Sequence, residues 1–431
     1  MNICVAGLWH LGTVTAACAA GGGHSVTAYD HDPATIDALA DGRPVIFEPG
    51  LADLLREGVA NQRLRFTADP AAAVRLADVL WVTWDTPVDE DDHADVDAVV
   101  SRAEALWPHL QPGSLVVVSS QVPVGTTARL EACCAALRPG ARIEFAYSPE
   151  NLRLGHAIEA FTKPDRIVIG TRGTHGRPRL AALFAPFSDR IEWMSVESAE
   201  MTKHALNAFL ATSVAFINEI AAISERVGAD AAEIARGLKT DVRIGPRAYL
   251  SPGAAFAGGT LARDVVFLSR RGAELGVPLR LIPSVRESNE AHREWALRRL
   301  ESALGSVKGK TVAVWGLTYK PGTDTLRRSG SVALCQALAE RGAAMRVFDP
   351  AIRQLPRHVA AIATLAQSPA DAACGAHALV VATEWPIFRD VSADELVAAG
   401  APIVLDAGRF LAATLGADGR LRYVTVGIPD R

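Results

Sequence analysis

The sequence predicts an α/β protein with two Rossmann-like parallel-sheet domains joined by a central helical domain that holds one long helix. Three observations predict it. Short β-branched runs alternate with Ala/Leu-rich amphipathic stretches from the first residue, the pattern of a parallel sheet flanked by helices. From Ser198 to Val227 apolar residues recur at helical spacing, at Met201, Ala205, Ala208, Phe209, Val214, Ile217, Ile220 and Ala221. Beyond Lys310 the strand texture of the beginning returns.

Taken in order, Asn2 to Ala6, Ser25 to Tyr29, Val79 to Thr83 and Leu115 to Ser119 read as buried strands, with Ile167 to Gly170 as a later one. The long helix stops at Gly228, and at close to thirty residues it exceeds the usual globular range. A helix of that length crosses between domains or pairs with a copy of itself, so a homodimer is expected. More helix follows through Ser269 and from Pro283 to Leu304, and Ser306-Val-Lys-Gly-Lys310 reads as a linker. Thr311 to Trp315, Met345 to Phe348, Leu379 to Ala382 and Ile403 to Leu405 are the strands of the last domain. The expected domains are 1–197, 198–305 and 306–431.

The 431 residues carry 44 Lys+Arg against 48 Asp+Glu, and 49% are hydrophobic, enough for two or three packed cores. A net charge of -4 without a basic run leaves no footprint for nucleic acid or an anionic membrane. No apolar stretch is read as approaching the roughly 20 residues that span a bilayer, and the start has no signal-peptide layout. A cytoplasmic protein is expected. Cys4, Cys18, Cys133, Cys134, Cys335 and Cys374 lack CxxC or Cys/His spacing and sit mostly in apolar surroundings. Reduced core thiols are expected, with no metal site.

The first strand runs into Gly7-Leu-Trp-His-Leu-Gly12 and then a helix, with Asp30 ending the second strand. This is the layout of a dinucleotide fingerprint, in which a helix N-terminus faces a pyrophosphate and an acid binds the ribose hydroxyls. Asp30 favours NAD over NADP, because a carboxylate repels a 2′-phosphate. The middle glycine of the fingerprint, which lets backbone approach the phosphates, is replaced by Trp9. An indole there displaces the dinucleotide, packs beside it or blocks it. In the last domain Gly316-Leu-Thr-Tyr-Lys320-Pro-Gly-Thr-Asp324 follows the first strand, with Arg327 shortly after, and suits a mononucleotide phosphate better.

With these motifs in order, the chain resembles the UDP-glucose/GDP-mannose dehydrogenases over essentially its whole length. The likeness rests on Glu48-Pro-Gly-Leu51, Thr86-Pro87, Val122-Pro-Val-Gly-Thr126, Ser148-Pro-Glu150, Pro164-Asp-Arg166, Lys203 with Asn207, Asn218-Glu219, Arg243-Ile-Gly-Pro246, Pro252-Gly253, Tyr319-Lys-Pro321 with Arg327, and Glu384-Trp385. It implies an N-terminal NAD domain, a central dimerisation domain and a C-terminal domain for the nucleotide of a nucleotide sugar, with a UDP-sugar favoured. It further implies cofactor contacts at Gly7, Trp9, Leu11, Gly12, Asp30, Thr86, Arg263 and Arg327. Substrate contacts are implied at Glu150, Leu152, Lys203, Asn207, Tyr249, Gly253 and Lys320, and catalytic roles at Lys203, Asn207, Asp264 and the position of Thr260.

Thr260 is the departure that matters. Family members oxidise a C6 alcohol to a carboxylate in two NAD-dependent steps through a thioester on one cysteine, in a loop similar to PGxGFGGxCFPKD. Here that loop reads Pro252-Gly-Ala-Ala-Phe-Ala-Gly-Gly-Thr-Leu-Ala-Arg-Asp264, which puts Thr260 at the nucleophile's place. A thiol titrates near 8.5, whereas an unassisted threonine hydroxyl stays neutral at physiological pH. No cysteine lies between Cys134 and Cys335 to replace it.

Other positions depart as well. Leu154 stands where the family has a second glutamate, Gln121 where it has the threonine of an STVP segment, and Arg263 where it has the loop lysine. The family's DGR is disturbed as Asp406-Ala-Gly-Arg409, which puts the arginine's usual nucleotide contact in question. Lys203 and Asn207, four apart, project from one helix face, and Asn218 returns to nearly the same bearing. The family assigns the first two to the oxyanion at C6 and Asp264 to a nearby water or proton transfer, roles that serve a hydride-transfer step without a covalent bond.

Three readings follow. The chain is an NAD-dependent oxidoreductase limited to one alcohol/aldehyde step; or a non-catalytic nucleotide-sugar binder or partner subunit; or a full UDP-sugar 6-dehydrogenase by a non-thioester route. The structural alternatives are that Asp30 merely ends a strand, that Lys203 pairs with a neighbouring acid, and that Asp264 is an N-terminal helix acid.

Overall fold

A computed structural model describes residues 1–89, 94–257 and 259–429, with the side chain of Thr260 outside the described residues. The chain forms two compact units, Met1–Ala205 and Leu206–Arg431. In the first, β1 (Asn2–Ala6), β2 (Ser25–Tyr29), β3 (Leu64–Thr67), β4 (Val79–Val82), β5 (Leu115–Val118), β6 (Glu144–Tyr147), β7 (Ile167–Thr171) and β8 (Ile191–Met194) make one sheet in the order β3-β2-β1-β4-β5-β6-β7-β8.

β4 and β5 are apolar at every residue, and β1 is so after Asn2, because both faces are covered. Alternate side chains enter different cores: Ile3, Val5, Val79, Trp81, Leu115 and Val117 one, and Cys4, Ala6, Leu80, Val82, Val116 and Val118 the other. The helix His10–Gly21 buries an unbroken run from Gly12 to Ala20, and its small side chains let it lie close on the sheet. The parallel arrangement ends at β6, which pairs antiparallel with β7.

In the second unit the helices Ala231–Thr240, Thr260–Glu274, Leu281–Arg293 and Trp295–Leu304 precede a second sheet. Its strands are β9 (Thr311–Trp315), β10 (Ala344–Phe348), β11 (Ala363–Leu365), β12 (Ala378–Val381), β13 (Ile403–Asp406) and β14 (Arg422–Val424), all parallel, in the order β11-β10-β9-β12-β13-β14. The same two-sided packing recurs, with Val312, Val314, Ala378 and Val380 on one face and Ala313, Trp315, Leu379 and Val381 on the other. Both sheets place their first strand beside their fourth, so each has a crevice at the C-terminal ends of those strands, where α/β proteins bind nucleotides.

The long helix runs Val196–Val227, and Gly228 ends it with φ +84. Contrary to the expectation that no apolar stretch suits a bilayer, this helix is long and apolar enough by length and composition. It nevertheless carries buried Glu200, Lys203, His204, Asn207, Asn218 and Ser224. Apart from Ser224, which bonds Ile220 O of its own helix, these side chains have hydrogen-bond partners elsewhere in the fold, which bilayer hydrocarbon would not supply. The six cysteines are free, but only Cys4, Cys18, Cys134 and Cys335 are buried; Cys133 is half-buried, off the face of its helix that buries Leu130 and Cys134, and Cys374 is exposed at the C-terminal end of the short helix Pro369–Ala373.

Candidate active site

In the first unit, β1 delivers the chain into Gly7, whose φ of +99 demands glycine. A Cβ on Gly7 would lie 2.5 Å from the Trp84 ring, and one on Gly12 would lie 1.7 Å from the Gly7 carbonyl oxygen. The first and third fingerprint glycines are therefore required by packing within the loop. Trp9 caps the helix N-terminus in extended conformation and directs its indole out of the core, 48% exposed. The Leu8 N–H donates to Asp30 Oδ2 at 2.8 Å, and Asp32 N–H donates to Asp30 Oδ1 at 3.1 Å. The carboxylate ending β2 thus also braces the loop that follows β1. Leu11 is half-buried in the first turn of the helix, and the buried Thr86 hydroxyl donates to Gln121 O at 2.8 Å.

Glu48 belongs to this site, although only the Glu-Pro-Gly-Leu motif pointed to it. Its buried carboxylate bonds His10 Nε2 at 3.0 Å and accepts the Gly155 and Ala157 N–H groups at 2.8 Å each. His10, the histidine of the fingerprint loop, is held to that acid. The tight turn, the open start of the helix and the acid at the end of β2 fit a dinucleotide. Trp9 removes the close backbone approach but keeps its ring outside the fold.

Lys203 is buried, and its ammonium donates to Glu150 O at 2.6 Å and to Glu150 Oε1 at 3.2 Å. Leu152 N–H donates to the other carboxylate oxygen of Glu150 at 2.6 Å. The ion pair that sequence reasoning set against catalysis is therefore present, with one of the family's site residues as partner. One turn earlier, fully buried Glu200 accepts Gly125 N–H at 2.6 Å, Thr127 N–H at 2.9 Å and the Thr127 hydroxyl at 2.7 Å. His204 bonds Val122 O at 3.0 Å and is structural.

In the second unit, Asn207 donates its amide to Asp264 Oδ2, and Asp264 is wholly buried. Asp264 lies beyond the first turn of its helix, so it is not an N-terminal helix acid. Asn218 Oδ1 accepts Gly253 N–H at 3.0 Å, and Gly253 O bonds His292 Nε2 at 2.7 Å. Asn289 clasps Phe256 through both amide atoms, at 3.0 and 2.9 Å. The segment from Gly253 to Phe256 is thus pinned by the long helix and by Leu281–Arg293. Asn289 and His292 escaped sequence reasoning, since a lone polar residue on an amphipathic helix usually faces water. Gly259 adopts φ +113 and ψ -125, open to glycine alone, and starts the helix at Thr260. Arg263 lies one turn into that helix, half-buried.

After β9, Gly316 (φ +89) repeats the geometry of Gly7: a Cβ there would lie 2.4 Å from Thr383. Asp349, after β10, is the counterpart of Asp30. Its Oδ2 accepts Leu317 N–H at 2.7 Å, Thr318 N–H at 2.9 Å, the Thr318 hydroxyl at 2.9 Å and Trp385 Nε1–H at 3.1 Å. That oxygen is saturated and cannot also take a ribose hydroxyl. Tyr249 and Arg327 are exposed and Lys320 is half-buried. Arg409 grips Asp230 with two bonds, 3.0 and 2.6 Å, and holds its carboxyl below the usual range. The arginine that the family uses on a nucleotide is occupied within the fold here.

The fold and site define a protein with two nucleotide-binding sheets, the first suited to a dinucleotide and the second to a mononucleotide. Residues 1–188 match the NAD binding domain of the UDP-glucose/GDP-mannose dehydrogenase family, residues 197–291 its central domain and residues 313–413 its UDP binding domain. The chain is 36% identical to a UDP-glucose 6-dehydrogenase of Rhizobium meliloti, covering 100% of both chains. It is also 36% identical to one of Pseudomonas aeruginosa, covering 100% of this chain and 98% of that one. A UDP-glucose dehydrogenase structure from Pyrobaculum islandicum superposes with a TM-score of 0.87 at 31% identity over 96% of each chain. The chain belongs to the UDP-glucose/GDP-mannose dehydrogenase family.

Proposed function

We propose that the protein is an NAD-dependent dehydrogenase of a UDP-sugar that performs one two-electron step, alcohol to aldehyde. The observation that carries the single step is Thr260 at the nucleophile's position, with no cysteine from 135 to 334. Three of the remaining thiols are poor nucleophiles as well: burial pushes Cys18 and Cys335 up to about 12 and Cys134 to about 11. Leu154 and Gln121 remove side chains that the family uses on the hydrolytic water.

In this reading Gly7, Leu11, Gly12, Asp30 and Thr86 hold the cofactor in the loop that Trp9 also lines, with Arg263 and Arg327 as further contacts. Bound NAD would supply the two-electron acceptor. Asp264, oriented by Asn207, takes the hydroxyl proton as the C6–H bond breaks, and Lys203 offsets negative charge on the oxygen. Glu150 and Leu152 shape the Lys203 environment. Gly253, Tyr249 and Lys320 contact the nucleotide sugar. The three-part division 1–197, 198–305 and 306–431 follows these roles.

The test is product stoichiometry with UDP-glucose. One NADH per sugar and an aldehyde are expected. Two NADH and a uronate would instead support a complete dehydrogenase by a non-thioester route, the activity in the names of the relatives at 36% identity. Absence of both, with nucleotide-sugar binding intact, would support a non-catalytic binder.

The homodimer belongs to the same proposal. Phe209, Phe216, Ile223 and Val227 are exposed on the long helix at intervals of seven, seven and four, an apolar stripe suited to a second copy. Light scattering of Phe216→Glu should show a monomer where the wild type shows a dimer.

A further inference from the structure

The acid that ends β2 is followed directly by an imidazole. Asp30 is buried, and both of its carboxylate oxygens are engaged: Oδ2 accepts Leu8 N–H at 2.8 Å, while Oδ1 accepts Asp32 N–H at 3.1 Å and lies 2.9 Å from His31 Nδ1. The His31 side chain is 55% exposed, so the ring borders both the acid and solvent. In a dinucleotide crevice this acid takes the ribose hydroxyls of NAD, and a cation close by accommodates the 2′-phosphate of NADP. Histidine is the side chain that supplies or withdraws such a cation between about pH 5 and 8. Neutral, His31 leaves the Asp30 charge to repel a 2′-phosphate. Protonated, it offsets that charge and holds the oxygen that a ribose hydroxyl would use.

The groups around the pair keep their charge over that range. Asp32, in the same turn, is held below the usual carboxylate range by the Thr35 hydroxyl and the Ala34 N–H. Burial, with Asp30 beside it, pushes the Tyr29 phenol up, and burial pushes the Cys4 thiol on β1 far up. Asp69, the N-cap of the helix Pro70–Val74, acts on Tyr29 as well, and Arg65 on β3 donates to Thr27 Oγ1 at 2.7 Å. The second imidazole, His10, is bonded to Glu48 at the start of the helix that faces the pyrophosphate, the part that NAD and NADP share.

We infer that His31 is a cofactor-discriminating residue: as an imidazolium it offsets Asp30 and attracts a 2′-phosphate, so the preference of the first crevice for NAD over NADP weakens below neutral pH. The inference rests on the reading of that crevice as a dinucleotide site.

Calorimetry of NAD and NADP on the full chain, wild type and His31→Gln, at pH 6 and pH 8 tests it. A phosphate itself titrates at about pH 6, so the two proteins are compared at each pH. At pH 6 the variant should prefer NAD over NADP by roughly threefold to tenfold more than wild type does, the scale of one charged contact that is partly exposed. At pH 8, with the imidazole neutral, the two preferences should agree within about twofold. Equal preferences at pH 6, the same gap at both pH values, or a loss shared by NAD and NADP would overturn the inference. A wild type that binds neither dinucleotide would overturn the dinucleotide reading itself, and the inference with it.

Discussion

Asn207 donates its side-chain amide to the carboxylate of Asp264, and the carboxylate is completely enclosed. A buried acid held by an amide donor is fixed in direction, as a group that moves a proton at one atom must be. Asp264→Asn should lower kcat by about 10²- to 10⁴-fold, the usual loss for a general base. Affinity for UDP should remain within about twofold. Steady-state kinetics with calorimetry of UDP checks this, and a variant retaining full kcat would remove Asp264 from the chemistry.

Thr260→Cys returns a thiol to the start of its helix without returning the family's glutamate at Leu154 or its threonine at Gln121. Acylation should therefore outrun hydrolysis. Incubated with NAD and UDP-glucose, the variant should accumulate a covalent adduct of the oxidised sugar nucleotide, seen by intact-protein mass. A bare protein mass, with NADH formation unchanged from wild type, would mean that position 260 does not address the reacting carbon.

The Trp9 indole stands at the phosphate loop with its ring outside the core, so removing it costs the fold little. Trp9→Gly restores the short backbone approach and should tighten NAD binding severalfold, measured by calorimetry. Weaker binding in the variant would show instead that the indole packs against the dinucleotide and contributes to holding it.

His292 bonds Gly253 O, and burial lowers its pKa, with smaller opposing effects from that bond and from Glu225. The unfolded chain therefore binds this proton more readily than the folded one. The stabilisation is present above the ordinary value near 6.5 and is lost as pH falls below it toward the depressed folded value. Melting temperature should drop between pH 6.5 and 5 more steeply in wild type than in His292→Gln, which cannot titrate. Parallel curves would contradict this.

The elements read most cleanly from the sequence are those whose residues face the core on both sides. Asn2–Ala6, Ser25–Tyr29 and Thr311–Trp315 match residue for residue. β3, β6, β8, β11 and β14 went unread, because Leu-Arg-Phe-Thr, Glu-Phe-Ala-Tyr and their like are short and partly polar and become strands only by pairing with a formed neighbour. The helix from Pro283 to Leu304 is two helices broken at Glu294, with no glycine or proline at the break to signal it.

The site divides along the same line. Chemical identity was legible in residue order: a hydroxyl for a sulfur at Thr260, Leu for Glu at 154, and an indole among the phosphate-loop glycines. Which groups are spent on the fold was not. Asp30 and Asp349 end equivalent strands, yet the second has one oxygen filled by four donors from Leu317, Thr318 and Trp385, and Arg409 is taken by Asp230 across 179 residues of chain. Periodicity and motif spacing are local and survive in one dimension. Saturation of a donor or acceptor depends on partners brought near by packing, and only the folded chain decides that.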